Sequence, residues 1–97
     1  MKARYDPGAD ALYIYLVDYD IAGKINENVE INDVYLSVDV DRTGNPLGIE
    51  VLWASKGFDL DPVIERFELD DIRQELKAME RREYKPDLAW KKAKPSA

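Results

Sequence analysis

The chain contains no cysteine and no histidine among its 97 residues. These absences exclude disulfide scaffolds, thiolate zinc sites, cysteine nucleophiles and histidine general bases. Apolar runs long enough to cross a membrane as a helix are also missing. The first residues lack the apolar segment of a secretory signal peptide. We therefore expect a cytoplasmic protein that makes no use of a membrane, holds no cofactor and is not an enzyme.

Basic residues are fewer than acidic ones, 14 against 20, which gives a net charge of −6. Their distribution is uneven. Residues 1–80 hold 8 basic and 18 acidic residues (−10), whereas residues 81–97 hold 6 basic and 2 acidic residues (+4). Because an acidic surface repels a phosphate backbone, nucleic acid binding is not expected of the body and is open only to the tail.

The stretch 34–53 has the pattern of a β-hairpin, with two alternating apolar arms around the polar turn DRTGNP. A register that opposes Leu36 with Val51 and Val38 with Ile49 places apolar side chains of both arms on one face. A slip of one residue would expose one set, so burial favours this register. The same parity predicts two further core pairs, Val40 with Leu47 and Val34 with Trp53.

Three more strands are predicted before the hairpin, over residues 2–5, 11–17 and 25–31. Asn32 and Asp33 suit a two-residue turn, which would place Val29 opposite Leu36. The sequence therefore predicts an antiparallel β-meander of four to five strands.

Helical signals follow in the C-terminal half. Asp61 followed by proline predicts a helix start. A longer helix is predicted over residues 71–83, with an apolar stripe and an end before Pro86. The stripe consists of Leu69, Ile72, Leu76 and Met79. The fold class is therefore α+β, an antiparallel sheet with a C-terminal helix packed on one face. We expect a β-meander domain over 1–56, a helical extension over 57–84 and a basic, flexible tail over 85–97.

One helix covers only one face of a sheet. The other face carries tyrosines and aliphatic residues, which are enriched at protein interfaces. The alternative is that tyrosine simply suits the solvent side of a strand. We predict an interface, formed with a second copy or with another protein, by Tyr13, Tyr15, Val17, Tyr35 and Leu52.

The basic tail is a second candidate contact, since a cationic segment with an aromatic residue can fold onto a partner or stack on nucleic acid. The alternative is a solvated terminus. The residues concerned are Lys85, Trp90, Lys91, Lys92 and Lys94.

Carboxylates are the remaining candidates for metal binding or acid and base catalysis. Asp39, Asp41 and Glu50 occupy positions one, three and twelve of a spacing close to the EF-hand calcium loop. Helices flank an EF-hand loop, whereas strands are predicted on both sides here, so these three are weak metal candidates. Asp39 and Glu50 would also lie diagonally on one face, as an acid and base pair requires. Asp6 and Asp10 are expected to hydrogen-bond the first turn.

The motifs resemble a small bacterial family called domain of unknown function 2283. The resemblance covers about residues 1–56 and rests on Tyr5-Asp6, Asp10–Ile14, Asp39–Gly44, Gly48–Glu50 and Ala54-Ser55. It implies a small β-meander domain with no established activity and no defined catalytic residues. Some members are encoded beside small toxin-like proteins, which implies an antitoxin-like role.

The leading prediction is therefore a non-enzymatic protein-interaction module. It is expected to form a homodimer and to pair with a small basic protein such as a cytoplasmic toxin. The alternative is a carboxylate-based metal-binding or hydrolytic enzyme that uses Asp39, Asp41 and Glu50.

Overall fold

A computed structural model describes residues 1–32 and 35–87 of the chain. Within these ranges a five-stranded antiparallel sheet is followed by two short helices, which confirms the α+β class. No helix in the described part is long and apolar enough to span a bilayer. The elements are β1 (Ala3–Asp6), β2 (Ala11–Tyr15), β3 (Glu27–Asn32), β4 (Leu36–Val40), β5 (Pro46–Leu52), α1 (Asp61–Arg66) and α2 (Arg73–Glu80).

The strands lie in the order β1-β2-β5-β4-β3, and every neighbouring pair is antiparallel. Strands β3, β4 and β5 form a meander, and the β1–β2 hairpin pairs with the free side of β5. The segment 16–26 therefore connects β2 to the opposite edge of the sheet. The last strand in the sequence occupies the centre of the sheet.

The register of β4 and β5 is the predicted one over most of its length. Leu36 opposes Val51 and Val38 opposes Ile49. At the turn end the prediction is wrong, because Val40 opposes Pro46 across a register shift. The shift is typical of a β-bulge, which places one additional residue on one strand.

The predicted register of β3 and β4 is also wrong. Val29 opposes Val38 instead of Leu36, and the register shifts between Glu30 and Asn32. The connection is longer than two residues, since Tyr35 still belongs to the turn. The predicted turn residue Asp33 and the predicted core residue Val34 lie outside the described residues.

Trp53 is not in the core, contrary to the prediction from alternation. Its side chain is 49% exposed, and its backbone is left-handed with φ of 55°. This conformation ends β5 at Leu52 and turns the chain into a 3₁₀ turn over Ala54–Lys56. Alternation along the sequence predicts burial only while the backbone is extended. Beyond Leu52 it no longer applies, and Ala54 is buried instead of Trp53.

A continuous apolar core lies between one face of the sheet and the helices. The strands contribute fully buried side chains, and the helical region packs its own apolar residues into the same cluster. Burial of this area is the main stabilising term of so small a chain. The sheet supplies Leu12, Ile14, Leu36, Val38, Ile49 and Val51, and the helical region supplies Leu60, Val63, Ile64, Leu76 and Met79.

The helices begin and end at other residues than predicted. Asp61 is the first helical residue instead of the cap, and the Asp59 side chain accepts its N–H at 3.0 Å. Helix α2 starts at Arg73 after a 3₁₀ turn and ends at Glu80. It ends early because Tyr84 turns back, donates its hydroxyl to the Met79 carbonyl at 2.7 Å and packs against the core.

Ion pairs hold the two helices together. The Lys77 ammonium lies 2.8 Å from Glu80, 3.1 Å from Asp61 and 3.3 Å from Asp59. The Glu80 carboxylate also accepts the N–H of Leu60 at 2.7 Å. These contacts link the start of α1 to the end of α2 and fix both helices over the same face of the sheet.

Candidate functional site

The second face of the sheet has a different composition from the core. Along β2, Leu12 and Ile14 are buried, while Tyr13 and Tyr15 are only partly buried. The strand pairing places these tyrosines on the same side as the other outward-facing residues. We call this surface the open face, formed by Lys2, Arg4, Tyr13, Tyr15, Asn28, Glu30, Ser37, Asp39, Gly48, Glu50 and Leu52.

Tyr13 lies across β5 on this face. Its ring covers Gly48, and a β-carbon at that position would collide with the phenol group. The hydroxyl donates to Asp39 Oδ2 at 2.7 Å. Tyr13 therefore connects β2 with β4 over a strand that has no side chain at the crossing point.

The second oxygen of Asp39 continues the connection to the edge of the sheet. Asn28 Nδ2 donates to Asp39 Oδ1 at 2.9 Å and to Ser37 Oγ at 3.0 Å. A hydrogen-bonded network therefore runs from Tyr13 on β2 to Asn28 on β3. Sequence reasoning missed it, although a glycine inside an apolar strand is a signal for the close approach of another group.

Burial, together with the hydrogen bond to Asp39, raises the pKa of Tyr13 well above its usual range. Its phenol therefore stays protonated and acts as a hydrogen-bond donor. With both oxygens of Asp39 engaged, this pair serves as a structural link in the sheet.

Tyr15 stands beside Tyr13 with its ring centroid 5.0 Å away in an edge-to-face arrangement. The ammonium of Lys2 lies 4.9 Å from the centroid of the Tyr15 ring, within cation–π distance. Leu52 is partly buried on the same face. Tyr35, in the turn before β4, packs against the core cluster, and its hydroxyl accepts a hydrogen bond from Asn32 at 2.9 Å.

The structure thus places three of the five residues predicted as an interface, Tyr13, Tyr15 and Leu52, on the open face. Tyr35 packs against the core cluster instead, and Val17 follows the end of β2 and is partly buried. Val17 lines a groove of about 1030 Å³ that also reaches Tyr13, Tyr15 and Glu50. Three of the predicted residues therefore share one depression, and Tyr35 and Leu52 lie outside it.

The three carboxylates of the calcium-like spacing do not gather. Asp41 Oδ1 accepts the Thr43 N–H at 2.9 Å, the Thr43 hydroxyl at 2.8 Å and the Asn45 N–H at 3.0 Å. These bonds hold the pKa of Asp41 below its usual value. Among residues 1–32 and 35–87, no group of three or more acidic, histidine or cysteine side chains could hold a metal ion. The spacing here forms a hydrogen-bonded hairpin turn.

Asp39 and Glu50 do lie diagonally on the open face, as expected, because Glu50 opposes Ser37 and Asp39 opposes Gly48. Asp39 is engaged by Tyr13 and by an asparagine. Glu50 is exposed and has no hydrogen-bond or ion-pair partner among the described residues. It is therefore a free carboxylate next to an aromatic pair.

Asp10 has a role that the sequence did not predict. Asp6 serves the first turn as expected, accepting the Gly8 N–H at 2.9 Å. Asp10 instead accepts the Tyr5 hydroxyl at 2.6 Å, the Ser55 hydroxyl at 2.6 Å and the Ser55 N–H at 3.0 Å. These bonds, led by the one from the Ser55 hydroxyl, lower the pKa of Asp10 despite its desolvation. Asp10 joins the first hairpin to the segment after β5.

The predicted binding tail is only partly described. Lys85 is exposed, and its ammonium lies 3.9 Å from Glu83. Trp90, Lys91, Lys92 and Lys94 lie outside the described residues.

Residues 2–55 match the model of a family described as "Protein of unknown function (DUF2283)". The chain belongs to this family. No curated protein and no solved structure matches the chain.

The DUF2283 match contains all five strands and ends at Ser55, whose side chain closes onto Asp10. Both helices lie beyond it. The residues that carry the resemblance have structural roles, since Tyr5, Asp10 and Ser55 form one network and Tyr13 covers Gly48. The family description names no activity.

Proposed function

We propose that this chain is a non-enzymatic protein-interaction module and that its open face contacts a partner protein. The observation that carries the proposal is the placement of Tyr13, Tyr15 and Leu52 on one face of the sheet, outside the apolar core, with both tyrosines lining the same groove. Tyrosine supplies a large contact area at a low entropic cost and is enriched in recognition surfaces.

Charge supports a basic partner. The centre and the β3 side of the open face carry the carboxylates of Glu30, Asp39 and Glu50, while Lys2 and Arg4 lie at the β1 margin. Residues 1–80 as a whole carry a charge of −10. Such a surface attracts a positively charged protein and repels a nucleic acid.

The antitoxin-like role is the most specific form of this proposal. It rests on the family resemblance, which implies small toxin-like neighbours, and on the acidic charge of the body. In this role the open face would bind a small basic toxin and keep it inactive. A homodimer through the same face remains the alternative assembly.

The hydrogen bonds that the carboxylates already make within the chain support a role without catalysis. Asp41 is used by its turn and Asp39 by the network under Tyr13. Glu50 alone offers no acid and base pair. No observation favours the alternative enzyme.

Site-specific photo-cross-linking tests the proposal in cells that produce the full chain with its natural neighbours. A benzophenone amino acid replaces Leu52 on the open face or, as the matched control, Gln74 on the exposed side of α2. We expect a cross-link to one basic protein, identified by mass spectrometry, from position 52 and none from position 74.

A second variant tests whether the contact needs the tyrosines. Tyr15→Glu should abolish the cross-link from position 52 while circular dichroism shows an intact fold. Equal cross-links from positions 52 and 74, or none from position 52, would contradict the proposal. A cross-link to a second copy of the chain would replace the basic partner with the homodimer.

A further inference from the structure

We infer that the open face contains a subsite for one cationic side chain of the partner, between the Tyr13–Tyr15 ring pair and the Glu50 carboxylate. This inference rests on the proposed function and specifies its partner chemistry. An arginine guanidinium fits best, since it can stack on a ring and bond a carboxylate with two N–H groups at once.

The aromatic half of the subsite already holds a cation from this chain. The Lys2 ammonium lies 4.9 Å from the Tyr15 centroid, against a limit of about 6 Å for a cation–π contact. Lys2 is exposed and precedes the first strand. Its ammonium group marks the ring surface as one that accepts positive charge, and a guanidinium from a partner can displace it.

The anionic half is Glu50, which opposes Tyr13 in the β2–β5 ladder. Residues directly opposite each other in an antiparallel pair project their side chains to the same face, so the Glu50 carboxylate and the Tyr13 ring are neighbours. Asp39 on the same face is already bonded to Tyr13 and Asn28, whereas Glu50 has no such partner in the described ranges. A free carboxylate beside a ring pair gives an arriving cation an ion pair and a cation–π contact together.

The groove provides the rest of the environment. Val17 and Ile21 line it together with both tyrosines and Glu50, so the alkyl stem of an arginine has an apolar wall beside it. Lys2 and Arg4 at the β1 margin would repel further positive charge. The basic segment of the partner is therefore expected to leave the subsite toward β4 and β3, where Glu30 lies.

Nuclear magnetic resonance on the full chain tests this directly. The probe is the peptide acetyl-Gly-Arg-Gly-Arg-Gly-amide, and its control carries uncharged citrulline at both arginine positions. We expect arginine-dependent shifts in the amide signals of Tyr13, Tyr15 and Glu50. Shifts of equal size with citrulline, or no shifts at these residues, would overturn the subsite.

Matched charge variants separate the subsite from general attraction. Glu50→Gln should weaken peptide binding about tenfold, as expected for the loss of a charge-assisted bond. Glu65→Gln removes the same charge from an exposed position on α1 and should change binding by less than about twofold, as screening of a distant charge predicts. Equal weakening by both variants would overturn the inference.

Lys2→Ala should change peptide binding in the opposite direction from Glu50→Gln. Removal of the resident cation should tighten binding of the arginine peptide, whereas Lys56→Ala, an exposed control, should not. Unchanged binding in Lys2→Ala would mean that the ring surface is not the binding site.

Failure of the cation subsite can be distinguished from failure of the proposed function. A cross-link from position 52 that survives in Glu50→Gln would leave the interaction face in place and remove the cation subsite. Peptide binding at Glu50 without any cross-link would establish the subsite and remove the proposed partner contact.

Discussion

The two faces of the sheet are formed by alternate residues of the same strands, yet different forces hold them. On β2, Leu12 and Ile14 are buried against the helices, whereas Tyr13 and Tyr15 stay partly exposed. The core face depends on apolar burial, and the open face depends on hydrogen bonds that run from strand to strand. The difference teaches that the same strands can bury aliphatic side chains on one face while they hold partly exposed tyrosines in place on the other.

The open face is ordered without being covered. Tyr13 fills the space above Gly48 and bonds Asp39, so a preformed surface exists before any partner arrives. Preorganisation of this kind lowers the entropic cost of binding. Two comparisons between the faces, one change on the open face and one change at the end of β5 test this division.

The largest expected effect is on the core face. Ile49→Ala should lower the free energy of unfolding by about 2–5 kcal/mol, because it removes a fully buried side chain and leaves a cavity. Leu52→Ala, three residues along on the open face, should cost about 1 kcal/mol or less, as partly exposed positions do. Urea unfolding measures both, and similar losses would show that the faces share the stability.

Gly48→Ala should show how tightly the open face is built. The added β-carbon occupies the space of the Tyr13 ring, which must move and break its bond to Asp39. We expect a loss of about 1–3 kcal/mol, the usual range for overpacking. In a Tyr13→Ala background the same change should cost much less, and additive losses in this double-mutant cycle would contradict the contact.

Alkaline pH should affect both faces alike. Burial, with the bond to Asp10 adding to it, raises the pKa of Tyr5 on the core face to about 12, against an ordinary 10.0. Because the folded chain holds this proton more tightly, the stabilisation is complete below pH 10 and is lost as the pH rises toward 12. Tyr13, whose pKa is also raised, should behave in the same direction.

Tyr5→Phe and Tyr13→Phe should each flatten the fall in unfolding free energy above about pH 10, the ordinary tyrosine pKa. Urea titrations at several alkaline pH values provide the measurement, with the neutral-pH stability of each variant as its own reference. If the unfolding free energy of Tyr5→Phe falls with pH as steeply as before, the proton of Tyr5 does not contribute to the loss of stability at alkaline pH.

The smallest effect is expected at Trp53, where β5 ends. A left-handed backbone costs a residue with a side chain about 1 kcal/mol or more, while glycine gains freedom in the unfolded chain. The buried half of the Trp53 side chain is lost as well, so Trp53→Gly should change the free energy of unfolding by no more than about 1 kcal/mol, the balance of these three terms. A strong destabilisation in thermal unfolding would instead place the tryptophan in the core.

Alternation predicted the parts of the fold that burial alone determines. It gave the pairing of Leu36 with Val51 and of Val38 with Ile49, because both members of each pair need the same face. It could not predict the shift at Pro46, since one extra residue leaves the apolar pattern unchanged on either side. It also could not predict that β5 pairs with β2, a contact between strands distant in sequence.

The sequence could predict which residues of the candidate site share a face of the sheet. It could not predict the hydrogen bonds that connect them. Alternation collected the tyrosines on one face, but it contains no information on which hydroxyl meets which carboxylate. Tyr13 reaches Asp39 and Asp10 reaches Ser55 across 26 and 45 residues of sequence. Gly48 was the local signal, because a glycine inside a strand indicates that another group approaches the backbone closely.

The central place of β5 also has a consequence for synthesis on the ribosome. Both β2 and β4 pair with this strand, and it is the last of the five to be translated. Until Pro46–Leu52 leaves the exit tunnel, the nascent chain can hold only two separate hairpins, whose unpaired edges invite aggregation. A translation product that stops before residue 46 would therefore be a target for proteolysis, and the complete sheet can form only after this strand has emerged.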